Sequence, residues 1–319
     1  MGFWENKKVL VTGGAGFVGH HVVGALKDSS CQDIFVCRSK DYDLTKEEEV
    51  KKLFNDYRFD VVLHLAGLVG GIWANKSRPG DFFYRNLMMG TLVMEYSRKS
   101  GVKKVVALAA GCGYPKYLEV PYSETDFWTG LPDENSIGYS MAKKMLIIQS
   151  WTYREQFGFD SSILLPANLY GPNDNFDLNN SHVIPGLVRK FVEGAINQDG
   201  VVEVWGTGKA SREFLYVKDA AKAILKVAEN YHESGPLNLG TGVETSIKEL
   251  VELIKKISGF KGSISWDSSK PDGQPRRYYD MTLFKENLQY IPDTPLETGL
   301  KETIGWYKEH RTEIAKYER

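Results

Sequence analysis

The sequence predicts an α/β protein built on a Rossmann-like, doubly wound parallel sheet, with a smaller C-terminal α/β lobe. Short apolar strands alternate with amphipathic helices through the first half of the chain, the pattern of a parallel sheet covered on both faces. A glycine-rich loop follows the first strand, and the alternation loosens from about residue 177. We therefore expect a first domain over residues 1–176 and a second lobe over residues 177–319, with some segments crossing back to the first domain.

The apolar pattern places each element along the chain. Strands are predicted at residues 8–12, 33–37, 60–65, 104–109 and 161–165, and helices at residues 18–27, 46–56, 81–99, 138–157 and 246–257. In such folds ligands bind beyond the carboxyl ends of the strands. The loops at those ends cover residues 66–72, 110–116 and 166–176, and we expect the functional site there.

The loop after the first strand has the spacing G-x-x-G-x-x-G. Gly13, Gly16 and Gly19 lie between the strand Lys8–Thr12 and an apolar-periodic helix. Glycine at these positions allows a tight turn, close approach of a pyrophosphate and tight helix packing, and the helix N-terminus attracts the negative charge. The strand–loop–helix context predicts a dinucleotide site rather than a generic turn.

The end of the second strand bears on the choice of cofactor. An acidic residue at this point usually holds the ribose 2′-hydroxyl of NAD, whereas an arginine accommodates a 2′-phosphate. Arg38 and Lys40 lie here, and no acid precedes Asp41. We therefore expect NADP(H), although a solvated basic turn has the same composition.

A tyrosine and a lysine are spaced one helical turn apart at Tyr139 and Lys143. Residues i and i+4 share a helix face, so the ammonium can lie beside the phenol. A neighbouring cation stabilises a phenolate and lowers the phenol pKa. The pair predicts an acid/base that exchanges a proton with a sugar hydroxyl or ketone.

Composition excludes several function classes. The 319 residues carry a formal net charge of −1, and 42% of them are hydrophobic, which favours a large core over a nucleic-acid-binding surface. No apolar run reaches the length of a membrane span, and the N-terminus does not resemble a signal peptide. The three cysteines lack metal-ligand spacing. We expect reduced thiols in the cytoplasm, no metal site, no nucleic-acid partner and no membrane partner.

Further blocks make the chain resemble a known family. They include Val69–Ile72, Cys112–Lys116, Asn168–Pro172, Ser181–Pro185 and Trp205–Gly208. With the glycine loop and Tyr-x-x-x-Lys, these blocks resemble the extended short-chain dehydrogenase/reductases over nearly the whole chain. Within that superfamily the sequence is similar to the GDP-L-fucose synthases, which epimerise and reduce GDP-4-keto-6-deoxy-mannose.

The resemblance implies a set of residues around NADP(H). Besides the catalytic pair and His182, the implied cofactor contacts are Gly13, Ala15, Gly16, Phe17, Val18, Gly19, Arg38, Asp43, Leu44, Leu65, Ala66, Gly67, Val69, Pro166 and Asn168. The implied substrate is a nucleotide-linked 4-keto sugar, with GDP as the expected nucleotide.

The resemblance also implies roles for Cys112 and His182. A C4 ketone acidifies the hydrogens at C3 and C5, so inversion there needs a base and an acid on opposite ring faces. A thiolate with a lowered pKa is a competent base, and histidine titrates near neutrality. We expect Cys112 and His182 to fill these roles, with Tyr139 and Lys143 serving the reduction. The alternatives are a small buried thiol and a structural loop histidine.

One position departs from the family pattern. The family has a serine or threonine two residues before the cysteine, where its hydroxyl binds the C4 oxygen. Here that position is Ala110, followed by Gly111. Loss of one such donor can lower the rate by about 10²-fold. Three explanations are open. Another hydroxyl, such as that of Ser123 or Thr125 or of a bound water, reaches the site; the enzyme acts on an altered keto-sugar or carries out only part of the reaction; or the position is engineered or degenerate.

A nucleoside diphosphate needs cations and a flat apolar surface. Arg212 offers a bidentate fork for phosphate, and the resemblance places Lys190 where the family has a substrate-binding arginine. Trp205 is expected to pack on the sugar or the nucleotide, or to be a core residue. The remaining expected substrate contacts are Asn168, Leu169, Val183 and Arg277.

Two helices carry broad apolar stripes, and such helices often pair in dimers of this superfamily. The stripes consist of Leu87, Leu92 and Met94 on the first helix and of Met145, Ile148 and Trp151 on the second. We expect a homodimer, with ordinary core packing as the alternative. The alternatives to the epimerase-reductase activity are an isomerase that recycles its cofactor, an enzyme for another GDP-keto-sugar such as a heptose, and a non-catalytic dinucleotide-binding protein.

Overall fold

The computed structural model describes residues 2–178, 180–233, 235–270 and 272–314. Its strands, in chain order, are β1 (Lys8–Thr12), β2 (Asp33–Cys37), β3 (Val61–His64), β4 (Lys104–Leu108), β5 (Ser161–Pro166), β6 (Asn168–Tyr170), β7 (Val201–Trp205), β8 (Ser211–Arg212), β9 (Phe214–Tyr216), β10 (Pro236–Leu239), β11 (Thr245–Ser246) and β12 (Ser263–Asp267).

Ten α-helices are assigned within these ranges, together with short 3-10 turns at Gly111–Gly113, Glu124–Trp128 and Glu134–Ser136. The helices are α1 (Phe17–Asp28), α2 (Glu47–Asp56), α3 (Ile72–Ser77), α4 (Pro79–Lys99), α5 (Ile137–Phe157), α6 (Val183–Asn197), α7 (Val217–Asn230), α8 (Ile247–Ser258), α9 (Thr282–Leu288) and α10 (Leu296–Ile314).

Six parallel strands form the central sheet in the order β10-β5-β4-β3-β1-β2. Thr12 of β1 pairs with Cys37 of β2 on one side and with His64 of β3 on the other. Helices α2, α4 and α5 pack in one group, and α1 packs against α7. This arrangement confirms the doubly wound α/β class, and the carboxyl ends of all six strands meet at one edge of the sheet.

The predicted elements agree with the observed ones within two residues. The third strand is shorter than predicted and covers Val61–His64, whereas the helix predicted at 81–99 begins earlier, at Pro79. Proline is favoured in the first helical turn because its missing N–H would have no partner there. The pattern did not reveal β10, whose four residues Pro236–Leu239 are all buried and show no alternation.

Two hydrophobic clusters lie within the described residues. The first surrounds the central sheet and includes α7, β10 and the later residues Tyr279, Met281 and Phe284. The second is built mainly from α6, α8 and α10 and includes Tyr170 and Phe176. Segments after residue 177 therefore return to the first cluster. The division near residue 176 remains a prediction.

Small sheets support the second cluster and position the site. Strands β7 and β12 pair in parallel, β8 pairs with β11, and β6 pairs with β9. The β6–β9 pairing places Asn168 directly opposite Phe214. Because β6 follows β5 after one residue, this small sheet extends the ligand-facing edge of the central sheet towards the second cluster.

Candidate active site

The glycine loop is shaped by close backbone contacts. Gly13 has a φ of +71°, and a Cβ built there would lie 2.8 Å from the backbone nitrogen of Ala66. A Cβ on Gly19 would lie 2.1 Å from the carbonyl oxygen of Gly13. Side chains at these two positions would force the loop apart, so both glycines are required by the fold of the loop itself.

The N-terminus of α1 is open towards the loop. Gly16 caps the helix without a side-chain hydrogen bond, and its own N–H donates to the carbonyl of Gly13 at 2.9 Å. The first N–H groups of a helix lack partners within the helix. No acidic side chain lies in the first turn of α1, which includes Phe17 and Val18. The loop from Ala15 onwards therefore fits an anionic group such as a pyrophosphate.

The loop after β3 borders the glycine loop. The hydroxyl of Thr12 lies 2.8 Å from Nδ1 of His64 and accepts from the N–H of Ala66 at 3.3 Å. His64 is fully buried, and burial lowers its pKa to about 3, so its ring is neutral. Leu65 donates its N–H to the Thr12 carbonyl at 3.1 Å. These bonds fix Leu65 and Ala66 beside the predicted pyrophosphate position.

The other residues that were predicted to contact the cofactor differ in their exposure to solvent. Arg38, just after β2, is exposed, whereas Leu44 is buried in the first cluster. The carboxylate of Asp43 accepts from the N–H and hydroxyl of Thr45, which lowers its pKa. Val69 is 57% exposed. The Leu44 side chain therefore packs in the core rather than against a ligand.

Lys143 lies beneath the carboxyl edge of the sheet. Its ammonium donates to the carbonyl of Leu108 at 2.9 Å, and a Cβ on Gly67 would lie 3.4 Å from its Nζ. Only 4% of Lys143 is exposed, and burial lowers its pKa to about 8. The α5 helix thus places a cation between β4 and the loop after β3.

Tyr139 lies one turn before Lys143 on α5, with its ring edge-on to Phe82 at a centroid distance of 6.3 Å. Burial raises its pKa, and the nearby Cys112 adds to that rise. The sequence predicted a pKa lowered by Lys143, which the structure does not show. Desolvation dominates because the phenol lies in a largely apolar environment.

Cys112 lies in the 3-10 turn Gly111–Gly113, against α5. Its pKa is raised by burial, although a hydrogen bond from Ser140 and the charges of Arg277 and Lys143 oppose the rise. The prediction of a thiol with a lowered pKa is therefore wrong for this structure. The sequence analysis missed Ser140, whose hydroxyl lies 3.2 Å from the Cys112 sulfur. The only feature of the sequence that could have pointed to Ser140 is its position directly after Tyr139.

His182 precedes the first residue of α6 and acts as its N-cap without a side-chain bond. The residue is exposed, yet the protein around its ring excludes enough water to lower its pKa, and the charge of Arg277 lowers it further. The imidazole is therefore largely neutral near pH 7.

A cavity of about 280 Å³ opens beside His182. Six of the predicted residues line it together, namely Asn168, Leu169, His182, Val183, Trp205 and Arg212. The wall is completed by Ile184, Ala210, Phe214, Ile247 and Asp272. Residues far apart in the sequence therefore converge on one pocket that combines apolar surface with a few polar groups, as small-molecule sites do.

Two arginines supply positive charge at this cavity. Arg212 donates to the carbonyls of Ser211 and Gln274, each at 2.6 Å, and burial followed by repulsion from Arg277 lowers its pKa to about 10. Arg277 donates to Oδ1 of Asn168 at 3.5 Å. Arg277, an expected substrate contact, is half-buried, and its charge influences Cys112, His182 and Arg212.

A buried carboxylate holds the Arg277 segment in place. Glu213 is 1% exposed and accepts N–H groups from Thr241, from Gly242 at 2.7 Å and from Tyr279 at 2.8 Å. The Glu213 carbonyl accepts from the Asn168 amide at 2.9 Å. One residue therefore links β6, the loop after β10 and the segment carrying Arg277.

Lys190 and Trp205 form part of the outer rim. The Lys190 ammonium lies 5.4 Å from the centre of the Trp205 ring and donates to the carbonyl of Glu203 at 3.0 Å. Trp205 is 61% exposed, so it is not a core residue. Lys190 does not line the cavity itself.

The 3-10 turn that follows Ala110 has no side-chain hydroxyl that could replace the missing serine or threonine. Ala110 is 7% exposed, and Gly111 is packed against Tyr279 and the carbonyl of Pro166. The Tyr279 hydroxyl donates to that carbonyl at 3.2 Å. Tyr279 was not predicted, since nothing in its local sequence distinguishes it from a core tyrosine.

The described ranges contain neither a metal-binding cluster nor a membrane-spanning helix. No group of three or more His, Cys, Asp or Glu side chains in them could hold a metal ion. None of the helices in the same ranges combines the length and apolarity that a bilayer crossing requires.

Comparison with known proteins identifies the family of the chain. Residues 9–240 match the NAD dependent epimerase/dehydratase family. The chain is 40% identical over 296 residues to a GDP-L-fucose synthase of Sinorhizobium fredii, covering 93% of this chain and 94% of the relative.

Solved structures give a consistent result. The fold resembles a GDP-L-fucose synthetase from Naegleria fowleri bound to NADP, with a TM-score of 0.89, 30% identity and coverage of 98% and 97% of the two chains. It also resembles a GDP-6-OMe-4-keto-L-xylo-heptose reductase from C. jejuni, with a TM-score of 0.90, 29% identity and coverage of 97% and 100%. These relationships confirm the resemblance seen in the sequence, and the chain belongs to the NAD dependent epimerase/dehydratase family.

Proposed function

We propose that the protein is an NADPH-dependent enzyme that epimerises a GDP-linked 4-keto-6-deoxy sugar at C3 and C5 and reduces it at C4. The observation that carries the proposal is the shared cavity, where His182 lies on the same wall as Asn168, Trp205 and Arg212. That wall combines a proton donor with groups suited to a nucleotide sugar. The relative named GDP-L-fucose synthase, similar over nearly its full length, supports the same reaction.

The residues around the glycine loop fit NADP(H). The uncapped N-terminus of α1 would hold the pyrophosphate, and Arg38, beyond β2, would hold the 2′-phosphate. Contacts along the dinucleotide are assigned to Ala15, Asp43, the Leu44 backbone, Gly67, Val69 and Pro166. When bound, NADPH supplies the hydride for the ketone carbon. The NADP-bound relative supports this choice.

Tyr139 is the proton donor of the proposed reduction. Because burial raises its pKa, the phenol keeps its proton until negative charge develops on the C4 oxygen. Lys143, fixed by the Leu108 carbonyl, lies one turn away and stabilises that developing charge. The lysine is therefore assigned to electrostatic support and to the nicotinamide ribose.

Cys112 and His182 are assigned to the proposed inversion. The working form is the ion pair of Cys112 thiolate and His182 imidazolium, which holds as many protons as the neutral thiol and neutral imidazole. The thiolate takes a proton from the ring carbon and becomes S–H, while the imidazolium gives a proton to the opposite face. Return of the proton from Cys112 to His182 through solvent restores the ion pair for the second inversion. Arg277 favours the thiolate because its charge lowers the thiol pKa against the effect of burial.

Substrate binding is assigned to the cavity wall and its rim. Arg212 would bind the diphosphate, Trp205 would provide the flat surface for the base or sugar, and Asn168 would bind a sugar hydroxyl. Leu169 and Val183 supply apolar wall. Lys190, held beside Trp205, and Arg277, held by Asn168, would complete the positive rim.

Reduction of a different GDP-keto-sugar, such as a heptose, is the second candidate. Ala110 favours it, because the usual hydroxyl beside the C4 oxygen is missing from that position. The similarity to a GDP-keto-heptose reductase points in the same direction. The two candidates share the assigned roles of Tyr139, Lys143 and Arg212.

The proposal extends to a cytoplasmic homodimer joined through α4 and α5. These helices pack against each other, and Phe83 and Tyr84 on α4 are exposed. Of the predicted stripe, Leu92 and Met94 are buried in the first cluster and belong to the core. Leu87, Met145, Ile148 and Trp151 are partly exposed and remain available for the interface.

The test is NADPH oxidation with freshly generated GDP-4-keto-6-deoxy-mannose, followed by NMR of the sugar. Oxidation with formation of GDP-L-fucose supports both halves of the reaction. Tight NADPH binding without oxidation, combined with turnover of a GDP-4-keto-heptose, favours the second candidate. Substrate conversion without net NADPH consumption indicates an isomerase and contradicts the proposal.

A further inference from the structure

A buried hydroxyl lies beneath the sulfur of Cys112. Ser140 on α5 is 0% exposed, and its oxygen lies 3.2 Å from the Cys112 sulfur, 3.0 Å from the Cys112 carbonyl oxygen and 3.3 Å from the hydroxyl of Ser136. A serine has one hydrogen to donate. The sulfur and the carbonyl therefore compete for that hydrogen.

The preferred acceptor depends on the state of the sulfur. A neutral thiol is a weak acceptor, so the Ser140 hydrogen favours the Cys112 carbonyl and the thiol can donate to the serine oxygen. A thiolate is a charged acceptor, and hydrogen bonds to charged groups are stronger. Rotation of the hydroxyl by one staggered position brings its hydrogen to the sulfur without movement of the backbone.

We propose that Ser140 is a positioning residue that holds the Cys112 sulfur and donates its hydrogen to the thiolate that acts as base. This inference rests on the proposed function, in which Cys112 takes the ring proton. Ser140 has no substrate contact in this scheme and acts only through Cys112.

Other groups also influence the sulfur and must be separated from Ser140. Lys143 and Tyr139 approach it from α5, and Arg277 and Tyr279 approach it from the segment before α9. The two cations favour the thiolate, whereas ionised tyrosines would oppose it. Ser140, by contrast, donates a hydrogen bond to the sulfur itself. Its removal therefore changes the thiol without removing a charge.

The first experiment needs no substrate. Alkylation of Cys112 by iodoacetamide is followed by mass spectrometry of its peptide across pH, in the wild type, Ser140→Ala and Ser150→Ala. Ser150 lies on the same helix, is equally buried and bonds to Ser161 at 2.8 Å, which makes it the matched control. The midpoint is the pH at which Cys112 alkylation is half-maximal. We expect it to rise by about one pH unit or more in Ser140→Ala and to remain at the wild-type value in Ser150→Ala.

Two results would overturn the proposal: an unchanged midpoint in Ser140→Ala, or an equal shift in both variants. Should Ser140→Ala fold poorly, Ser140→Gly removes the same hydroxyl with a smaller side chain. Ser140→Thr keeps the hydroxyl and is expected to retain the wild-type midpoint.

Solvent deuterium incorporation at C3 and C5 then connects the thiol to the reaction. At neutral pH we expect exchange to fall about tenfold in Ser140→Ala and to recover at higher pH. Exchange in Ser140→Ala that equals the wild type at every pH contradicts the inference. Absence of exchange in the wild type contradicts the proposed epimerisation instead, and the alkylation result still decides the effect of Ser140 on the sulfur.

Discussion

The Tyr279 hydroxyl occupies the space that a side chain at residue 111 would need. A Cβ built on Gly111 would lie 1.6 Å from that oxygen. Tyr279 is held in place from two directions, since its N–H donates to Glu213 and its hydroxyl donates to Pro166. The turn that carries Cys112 is therefore shaped by a residue far along the chain.

Gly111→Ala is expected to destabilise the protein by about 2 kcal/mol, because the new methyl group overlaps a fixed phenol. The free energy of unfolding in urea measures this effect. Gly24→Ala is the control, since a Cβ at Gly24 meets no atom within 4 Å. It should be neutral or slightly stabilising. Equal behaviour of the two variants would contradict the packing of Tyr279 on the turn.

Gly19→Ala is expected to abolish NADPH binding. The added Cβ would overlap the Gly13 carbonyl at 2.1 Å, which displaces the loop at the mouth of α1. Isothermal titration with NADPH provides the measurement, and Gly24→Ala on the same helix should bind normally. Retained affinity in Gly19→Ala would show that the cofactor does not use this loop.

Tyr139→Phe is expected to lower the rate of hydride transfer by about 10²-fold to 10⁴-fold while preserving NADPH affinity. The phenol is the proposed proton donor, and phenylalanine keeps the ring in place beside Phe82. Tyr153→Phe is the control on the same helix, where the hydroxyl bonds to Glu95 at 2.7 Å. Loss of NADPH binding in Tyr139→Phe would instead assign the tyrosine a structural role.

Lys143 is expected to make stability depend on pH. Burial holds its pKa at about 8, below the ordinary lysine value of 10.5. Between these values the unfolded chain binds the extra proton, so stability rises with pH. Below pH 8 the buried ammonium costs about 3 kcal/mol.

Urea unfolding of the wild type and Lys143→Met at pH 7 and pH 10 isolates this contribution. The wild type should gain stability relative to Lys143→Met by about 2.5 kcal/mol between pH 7 and pH 10. Contributions from titrating groups that Lys143 does not influence cancel in the difference between the two proteins. A difference that does not change with pH would contradict the depressed pKa of Lys143.

Ala110→Ser is expected to raise the rate of C4 reduction of a 4-keto-6-deoxy sugar by about tenfold to 10²-fold. The new hydroxyl would supply the donor that the family places beside the C4 oxygen. Single-turnover hydride transfer is the readout. An unchanged or lower rate would mean that another group already fills this role or that the natural substrate differs.

Local sequence patterns were sufficient for the parts of the site that lie close together in the chain. The glycine spacing at 13, 16 and 19 and the i+4 spacing of Tyr139 and Lys143 each depend on one loop or one helix. Five of the six strands of the central sheet were likewise visible as apolar runs. Short-range geometry follows directly from spacing, so the loop and helix α5 form where the sequence predicts them, although the predicted lowering of the Tyr139 pKa by Lys143 is wrong.

Contacts between segments that are distant in the chain could not be predicted from local sequence patterns. Tyr279 meets Gly111, and Arg277 meets Asn168, because distant residues such as Glu213 and Tyr122 hold their segment. The raised pKa of Cys112 follows from its surroundings, which a motif does not describe. An apolar stripe also could not separate the buried Leu92 from the partly exposed Leu87.

The position of β10 has a consequence for synthesis of the chain. Its partner β5 is complete at residue 166, but β10 begins only at Pro236. A nascent chain therefore carries an unpaired strand edge with an apolar Ile-Leu-Leu centre while about seventy further residues emerge. Truncation near residue 176 would make that edge permanent, so the first half should self-associate when expressed alone. The later part of the chain thus protects the edge of the central sheet as well as contributing to the cavity.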